Sequence, residues 1–341
     1  MSENNKQQSN DLDRRELLKG LATVPVFGLF LSQLWRKIRR DTLKKSNILS
    51  GLVQEKSAPA IIKGLSDSKH LNIGIIGYGG RGGHLVRGAG FATTGWTTTV
   101  AENARKNKLD KQFKTFMDQE DLNCSLVGVC DLFDVRAEQG LDASQNEVRP
   151  GGKPKKTATR YRHYKDLLAN DDIDAVIIAT PDHWHSRITI DAAKAGKHVY
   201  CEKGLTRTFE ETIKVYDVVK ETGITFQLGH QNRQVEANEK AKQIVQQGLL
   251  GTINLVELTT NRNSPWGAWV WGIHPEGNAQ TIDWDTFQEP APNKIPFGEE
   301  ALKRFFRWRC WFDYGTGLSG DLLSHDFDAI NQIMDLGIPK Y

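Results

Sequence analysis

The chain has 341 residues, enough for about two domains. Its 38% hydrophobic and 26% charged residues are typical of a globular protein. The net charge of +3 is uneven, because residues 1–46 hold ten Lys and Arg against five Asp and Glu. The remainder is therefore slightly acidic, which excludes nucleic acid as a partner because that partner requires a dense basic face. The four cysteines have no metal-site or C-x-x-C spacing and predict small buried residues: Cys124, Cys130, Cys201 and Cys310.

Residues 1–45 resemble an export leader. Arg14-Arg15 and Lys19 precede an apolar run from Gly20 to Trp35, as in twin-arginine signals. The run is shorter than the roughly twenty residues of a membrane span. No A-x-A cleavage site follows, and basic residues come directly after it. We expect residues 1–45 to be a signal or anchor that places the protein in or facing the periplasm, and 46–70 to be a linker. The alternative is a cytoplasmic amphipathic extension.

A glycine-rich turn follows in the sequence LNIGIIGYGGRGGHLVRGAG, which begins at Leu71. A short apolar run ends at Gly77, and Gly77, Gly79 and Gly82 have the spacing G-x-G-x-x-G before a helical pattern. In a βαβ unit these glycines allow a tight turn, close approach of the pyrophosphate and close helix packing, with the helix N-terminus facing the phosphates. The context therefore predicts a dinucleotide site rather than a plain strand–helix turn.

The next strand, 126–131, ends at Asp131. A carboxylate there accepts a hydrogen bond from a ribose 2′-OH and repels a 2′-phosphate, which favours NAD over NADP; the alternative is a solvated residue that opens a turn. This strand lies about fifty residues beyond the glycines instead of about twenty. The extra segment, Phe91–Leu122, is interpreted as an insertion with a helix over 101–117, overhanging the adenosine side of the site.

Strands and helices then alternate, with strands at 172–180, 198–202 and 224–228 and helices at 186–195 and 208–222. This alternation predicts a doubly wound parallel sheet. Ligands of such sheets bind at the carboxyl ends of the strands. The residues expected there are Gly77, Asp131, Thr180, Glu202, Lys203, His230 and Gln231.

A second domain is predicted for 233–341, with a helix over 236–247 and a strand over 253–260. The following stretch is rich in Trp, Pro and Gly. Its tryptophans either line a sugar site or anchor an irregular loop; they are Trp266, Trp269, Trp271 and Trp284. Arg307 and Arg309 share one face of an extended chain.

Near the C-terminus, Asp321 and His325 lie four residues apart at the glycine-rich start of a helix. A carboxylate beside an imidazole orients it and stabilises its protonated form, which suits acid–base catalysis. The alternatives are an ordinary helix pair or a metal site. The metal alternatives are Asp321, His325 and Asp328, and, more weakly, Asp182, His183 and His185.

Together these motifs resemble the glucose–fructose oxidoreductase/inositol dehydrogenase (Gfo/Idh/MocA) family. The matching segments are Gly77–Gly82, Val129–Asp131, Ala179–His185, Glu202-Lys203 and Asp321 with His325. The resemblance implies a Rossmann domain, here 71–232. It also implies a C-terminal α/β domain, 233–341, whose open, mainly antiparallel sheet often mediates homo-oligomerisation. With one predicted strand before residue 341, that second domain is expected to be incomplete.

The resemblance also implies roles for individual residues, with no metal. Catalysis falls to Lys203, Asp321 and His325. Substrate binding falls to Gln231, Arg233, Asp321 and His325. Cofactor binding falls to Gly77, Tyr78, Gly79, Gly80, Arg81, Gly82, Asp131, Thr180, Pro181, His185, Glu202 and Lys203. Gly204 stands where the family usually has proline, which loosens the backbone beside Lys203.

The function expected is oxidation of a sugar or polyol hydroxyl by hydride transfer to NAD. An alternative that uses the same residues is a glycosidase that oxidises its substrate transiently, eliminates the aglycone and returns the hydride. A third, non-enzymatic alternative is a dinucleotide-binding sensor.

Overall fold

The computed structural model describes residues 35–39, 70–151, 157–261 and 265–337. Residues 35–39 form one exposed helical turn. The twin-arginine motif and the predicted linker lie outside the described residues. Among the helices that are described, none combines the length and apolarity that crossing a bilayer requires.

Six parallel strands form one sheet, which confirms the predicted doubly wound fold. They are β1 (Leu71–Ile76), β2 (Cys124–Cys130), β3 (Thr159–Tyr161), β4 (Ala175–Ile178), β5 (His198–Glu202) and β6 (Phe226–Gly229). Their order is β3-β2-β1-β4-β5-β6. The short edge strand β3 escapes prediction because three half-exposed residues carry no clear alternation. The order reverses between β1 and β4, where Rossmann folds bind dinucleotides.

Eleven α-helices are assigned within residues 70–337. They are α1 (Gly80–Gly88), α2 (Thr94–Lys106), α3 (Gln112–Met117), α4 (Asp134–Gln145), α5 (Tyr164–Leu168), α6 (Asp182–Lys194), α7 (Phe209–Thr222), α8 (Glu236–Gln246), α9 (Trp284–Phe287), α10 (Glu299–Phe306) and α11 (Ser324–Met334). Helix α6 begins four residues before the predicted start at 186. Pro181 stands at its N-cap and Asp182 in its first turn, where proline and an acidic residue favour initiation.

The sheet is covered on both faces. One apolar cluster packs β4 and β5 against α5 and α6, through Leu167, Ile178 and Ile188. The other packs β1 and β2 against α1 and α4, through Val86 and Ala143. Cys124, Cys130 and Cys201 are buried as predicted, whereas Cys310 is exposed; all four are free thiols.

The Phe91–Leu122 segment lies away from the cofactor side, contrary to the expectation that it overhangs the adenosine. It runs from the end of α1 to the start of β2, which is the amino-terminal edge of the parallel sheet. It forms two helices, α2 and α3, instead of one over 101–117. Thr94 is hydrogen-bonded to Asp142 of α4, and the Arg87 guanidinium lies over Trp96. The segment therefore packs on the far end of α1 and α4.

The strand predicted over 253–260 is not formed. These residues are irregular and mostly exposed, and none of them joins a ladder in the described chain. A β-branched run becomes a strand only where a neighbouring strand completes its hydrogen bonds.

Candidate active site

A cavity of about 490 Å³ opens at the carboxyl ends of the strands. Its lining includes the ends of β1, β2, β4 and β5: Gly77, Asp131, Thr180, Pro181, Glu202 and Lys203. Asp131 and Lys203 follow strands that are three places apart in the sheet, about 14 Å at the usual interstrand spacing. The cavity therefore crosses the point where strand order reverses.

The glycine turn has the geometry that its spacing predicts. Gly77 has φ +89°, and Gly82 packs so closely that a Cβ there would lie 2.0 Å from the Gly77 oxygen. Gly79, Gly80 and Arg81 line the cavity at the start of α1. The structure corrects the prediction that the Tyr78 side chain binds the cofactor. Its ring is buried in the core, and only its backbone N–H points towards the site, donating to Asp131 Oδ2 at 2.7 Å.

Asp131 lies at the end of β2 with one oxygen held by Tyr78 and the other accepting from Phe133 N at 2.9 Å. Burial raises the pKa of Asp131, while Arg136 and the two amides oppose that shift. Arg136 also lines the cavity, beside Gly79. No carboxylate of the described chain pairs with this guanidinium, which leaves a cation facing the site. A carboxylate for a ribose hydroxyl and a cation near the phosphate turn fit a dinucleotide.

The wall beside Asp131 comes from distant residues, which we call the 271–309 segment. Residues 281–283 pair with 132–134 through Asp283 N to Leu132 O and Asp134 N to Thr281 O, both 2.9 Å. The segment then contributes a buried aromatic cluster around Phe133. Its residues that line the cavity are Trp271, Thr286, Phe287, Phe305, Phe306, Trp308 and Arg309.

Two of the four tryptophans take the two roles left open for them, one each. Trp284 is an anchor, buried at 4% exposure with Nε1 donating to Ile295 O. Trp271 lines the cavity and is half-exposed. Trp266 is exposed and does not reach the cavity.

The first turn of α6 holds the 271–309 segment in place. His183 Nε2 lies 2.7 Å from Phe287 O, and Trp184 Nε1 donates to the same oxygen at 3.0 Å. Burial lowers the pKa of His183 to about 3, so its ring is neutral at physiological pH. His183 and Trp184 therefore fix Phe287 beside α6, and Trp184 also lines the cavity.

His185 does not reach the cavity, contrary to the predicted contact with the cofactor. Its ring is 1% exposed and lies between two carbonyl oxygens, Thr180 O at 2.7 Å and Gly204 O at 2.8 Å. It thereby joins the end of β4 to the loop after β5. The peptide bond between Lys203 and Gly204 is cis. His185 therefore supports the backbone beside Lys203.

Lys203 and Asp321 are brought into contact across more than a hundred residues. Lys203 Nζ donates to Asp321 O at 2.8 Å and also to Asp321 Oδ1. Arg309 Nε donates to the same Oδ1 at 3.0 Å. Burial alone would raise the pKa of Asp321, but Arg309 and Lys203 lower it below its usual value. The carboxylate therefore stays charged between two cations, and Lys203 faces the cavity.

Gly320 sets the position of Asp321. Residues Ser319–Leu323 form a π-helical turn before α11. A Cβ on Gly320 would lie 2.1 Å from Thr316 Oγ1, whose hydroxyl donates to Asp182 Oδ2 at 2.7 Å. This close packing ties the turn that carries Asp321 to the start of α6.

Arg81 links the glycine turn to the other end of the cavity. Its Nε donates to Glu202 Oε1 at 2.8 Å, and a second nitrogen donates to Gln231 Oε1 at 3.3 Å. All three residues line the cavity, as expected of two cofactor-binding residues and one substrate-binding residue. Arg233 does not line it and instead pairs with Asp328, with Nη2 to Oδ1 at 2.7 Å.

His325 lies behind Lys203 and does not itself line the cavity. Its ring contacts His230, with centroids 5.6 Å apart and planes at 74°. Burial lowers the pKa of His325, and Lys203 and His230 lower it further against Asp321 and Glu202. A neutral imidazole at physiological pH is the form that accepts a proton.

Neither alternative metal site is formed. In the described ranges, no three His, Cys, Asp or Glu side chains are grouped as ligands. Asp321 and Asp328 are each bound to arginine, and His183 and His185 are bound to carbonyl oxygens.

A parallel sheet in this order, with a glycine turn and an acid after β2, defines a dinucleotide-binding Rossmann domain. Residues 71–230 match the GFO_IDH_MocA family, described as an oxidoreductase family with an NAD-binding Rossmann fold. These residues therefore form an NAD-binding Rossmann domain that is similar to that of the Gfo/Idh/MocA family.

Shorter stretches are similar to individual proteins. Over 90 residues the chain is 41% identical to levoglucosan dehydrogenase of Pseudarthrobacter phenanthrenivorans, covering 26% of this chain and 23% of that protein. Over 97 residues it is 35% identical to a glycosyl hydrolase family 109 protein of Shewanella baltica, covering 28% and 21%. The chain thus spans under a third of the length of these relatives.

Among solved structures, myo-inositol 2-dehydrogenase from Lactobacillus plantarum is 28% identical. That alignment covers 54% of this chain and 43% of that one, with a TM-score of 0.39.

The structure brings together most of the predicted site and adds three residues. Arg136, Arg309 and His230 were not assigned roles from the sequence. Arg136 lies five residues after Asp131, a spacing that marks it as a candidate. His230 stands at a predicted strand end, but its pairing with His325, like that of Arg309 with Asp321, has no local signal because the partners are distant in sequence.

Proposed function

We propose that the whole chain belongs to the Gfo/Idh/MocA family and that it oxidises a hydroxyl group of a sugar or polyol with NAD as the hydride acceptor. The observation that carries the proposal is the Lys203–Asp321 contact at the end of the dinucleotide cavity, with His325 one turn further along the chain. The similarity to levoglucosan dehydrogenase supports the substrate class.

The residues present fit NAD. Gly77 and Gly82 form the tight turn, Gly79 and Gly80 leave backbone N–H groups open to a pyrophosphate, and Asp131 faces the ribose end. Bound there, NAD would supply the hydride acceptor.

The chain's own residues manage the hydroxyl proton. The Lys203 ammonium, steadied by Asp321, donates a hydrogen bond to the substrate oxygen and stabilises the negative charge that develops there. The neutral His325 imidazole, which does not line the cavity, takes up the proton through one intervening water, and the Asp321 carboxylate orients Lys203.

The test is Lys203→Met in the full chain. Turnover of levoglucosan or myo-inositol is expected to fall at least about a hundredfold, because the charge on oxygen loses its partner, while the Kd for NAD stays within a few-fold. Lys194→Met, an exposed change at the end of α6, is the matched control. An unchanged rate in Lys203→Met overturns the proposal.

A redox-assisted glycosidase is the second candidate, supported by the similarity to a glycosyl hydrolase family 109 protein. Formation of NADH from free polyols favours the oxidoreductase. Release of nitrophenol from nitrophenyl glycosides without net NADH favours the glycosidase.

We also propose that the chain is exported by the twin-arginine route, on the strength of Arg14-Arg15 and the apolar run behind them. Fractionation of cells that express the full chain tests this. Replacing both arginines by lysine is expected to retain the protein in the cytoplasm, and an unchanged distribution contradicts the proposal.

A further inference from the structure

The contact between His230 and His325 joins two segments that meet only in the folded chain. His230 follows β6, and His325 is the second residue of α11. Their rings meet edge to face, with centroids 5.6 Å apart. Each ring has its Nδ1 buried without a hydrogen-bond partner. Unpartnered buried nitrogens are costly, so their retention calls for an explanation.

Two imidazoles in contact do not titrate independently. A proton on one ring repels a proton on the other, so the first proton taken up belongs to the pair. The nearby Lys203 ammonium opposes a second positive charge further. Burial lowers the pKa of both imidazoles below the usual value, so the pair is neutral at physiological pH and takes up its first proton only in the acidic range.

The surroundings of the two rings differ. Asp328 Oδ2 lies 3.8 Å from His230 Nδ1 and favours a positive charge on that ring. Two cations oppose that charge: Lys203, and Arg233, which is itself paired with Asp328. For His325, Lys203 opposes a positive charge on the ring, and Asp321, which favours it, is a carboxylate already shared by two cations. Glu202 acts in the same direction on both rings. The carboxylate at His230 is thus the main asymmetry.

We propose that His230 is a positioning residue for the reaction: as the pH falls, Asp328 draws the first proton that the pair takes up onto His230, which keeps His325 neutral, and able to accept the substrate's hydroxyl proton, down to a lower pH. This rests on the proposed function. In the step that it serves, the substrate C–H bond breaks with its electron pair going to the nicotinamide, the O–H proton passes to His325, and the C–O double bond forms.

The decisive measurement does not need turnover. In protein with ¹⁵N-labelled histidine, saturated with NAD, the side-chain ¹⁵N shifts of both rings are followed from pH 4.5 to 8.5, and His325→Gln assigns them. We expect His230 to take up its proton at the higher pH. In His230→Phe, which keeps a ring against His325, the midpoint of His325 should move up. In Asp328→Asn, the midpoint of His230 should move down.

His198→Gln, at the opposite end of β5, is the matched control and should leave both titrations unchanged. The proposal is overturned if His325 titrates at the same pH with and without His230, or if it protonates before His230 in the wild type.

A kinetic readout separates this role from a merely structural one. With whichever of levoglucosan and myo-inositol is oxidised, His230→Phe should lose more kcat at pH 6 than at pH 8, with NAD affinity unchanged. A uniform loss at all pH values contradicts the proposal. A wild type that oxidises neither polyol counts against the proposed function and leaves the titration as the test of the histidine pair.

Discussion

The Phe91–Leu122 segment and the 271–309 segment both lie outside the plain Rossmann pattern, yet they serve different ends of the sheet. The first joins α1 to β2 and therefore packs at the amino-terminal edge. The second pairs with residues 132–134, directly after Asp131, and lines the cavity. Position along the chain places the first segment, between α1 and β2, but not the second. What matters is which end of the strands a segment reaches, because ligands bind at the carboxyl ends.

The largest expected effect is the loss of stability when one buried phenylalanine of each segment is replaced by alanine. Phe116→Ala and Phe287→Ala should each lower the free energy of unfolding by about 3–5 kcal/mol, since both side chains are at most 3% exposed. Only Phe287→Ala should also raise the Kd for NAD, by about tenfold, because Phe287 lines the cavity. Urea unfolding and calorimetric NAD titration measure the two.

The milder Phe116→Leu and Phe287→Leu serve if the alanine variants fold poorly. Equal loss of NAD affinity in both segments would remove the distinction between them.

The pH dependence of stability tests how the 271–309 segment is held. The pKa of His183 is about 3 in the folded state, against an ordinary value of 6.5. Between these values the unfolded chain binds a proton that the folded chain does not. Stability therefore falls with decreasing pH, by about 1.4 kcal/mol per unit and about 2 kcal/mol at pH 5.

His183→Gln should remove this contribution to the pH dependence of the free energy of unfolding, as measured by urea unfolding at pH 7.5, 6 and 5. His70→Gln, at an exposed position, should retain it. Parallel slopes for wild type and His183→Gln would show that His183 is not the group responsible.

Cofactor choice tests the residues at the boundary between β2 and the 271–309 segment. Asp131→Asn should weaken the binding of NAD by about tenfold, because a charged acceptor for the ribose hydroxyl is lost. It should also reduce the protein's preference for NAD over NADP. Arg136→Met should weaken the binding of both cofactors, and of NADP more, since this guanidinium lines the cavity beside Gly79 without a carboxylate partner in the described chain. Competition titrations with NAD and NADP measure the ratios, and a ratio unmoved by Asp131→Asn counts against its ribose role.

The smallest expected effect lies in the Phe91–Leu122 segment. Asp142→Asn weakens two hydrogen bonds from Thr94 and should cost about 0.5–1.5 kcal/mol of stability. The Kd for NAD should not change. A measurable loss of NAD affinity would mean that the amino-terminal edge does communicate with the cavity.

The sequence by itself determined the Rossmann sheet, the glycine turn, Asp131 and the position of Lys203. Each rests on a local pattern: β-branched runs, glycine spacing, or a polar residue at a strand end. Such patterns lie within one strand and one turn, so they can be recognised without knowing the rest of the fold.

Only the tertiary structure decided where the 271–309 segment goes. Nothing local in it indicates which end of the sheet it meets, and the run at 253–260 is β-branched yet forms no strand in the described chain. Arg309 and His230 likewise gain their roles from Asp321 and His325, which lie 12 and 95 residues away in sequence. Contacts at such separations depend on the whole packed fold, and these contacts bring the carboxylate and the imidazole to Lys203.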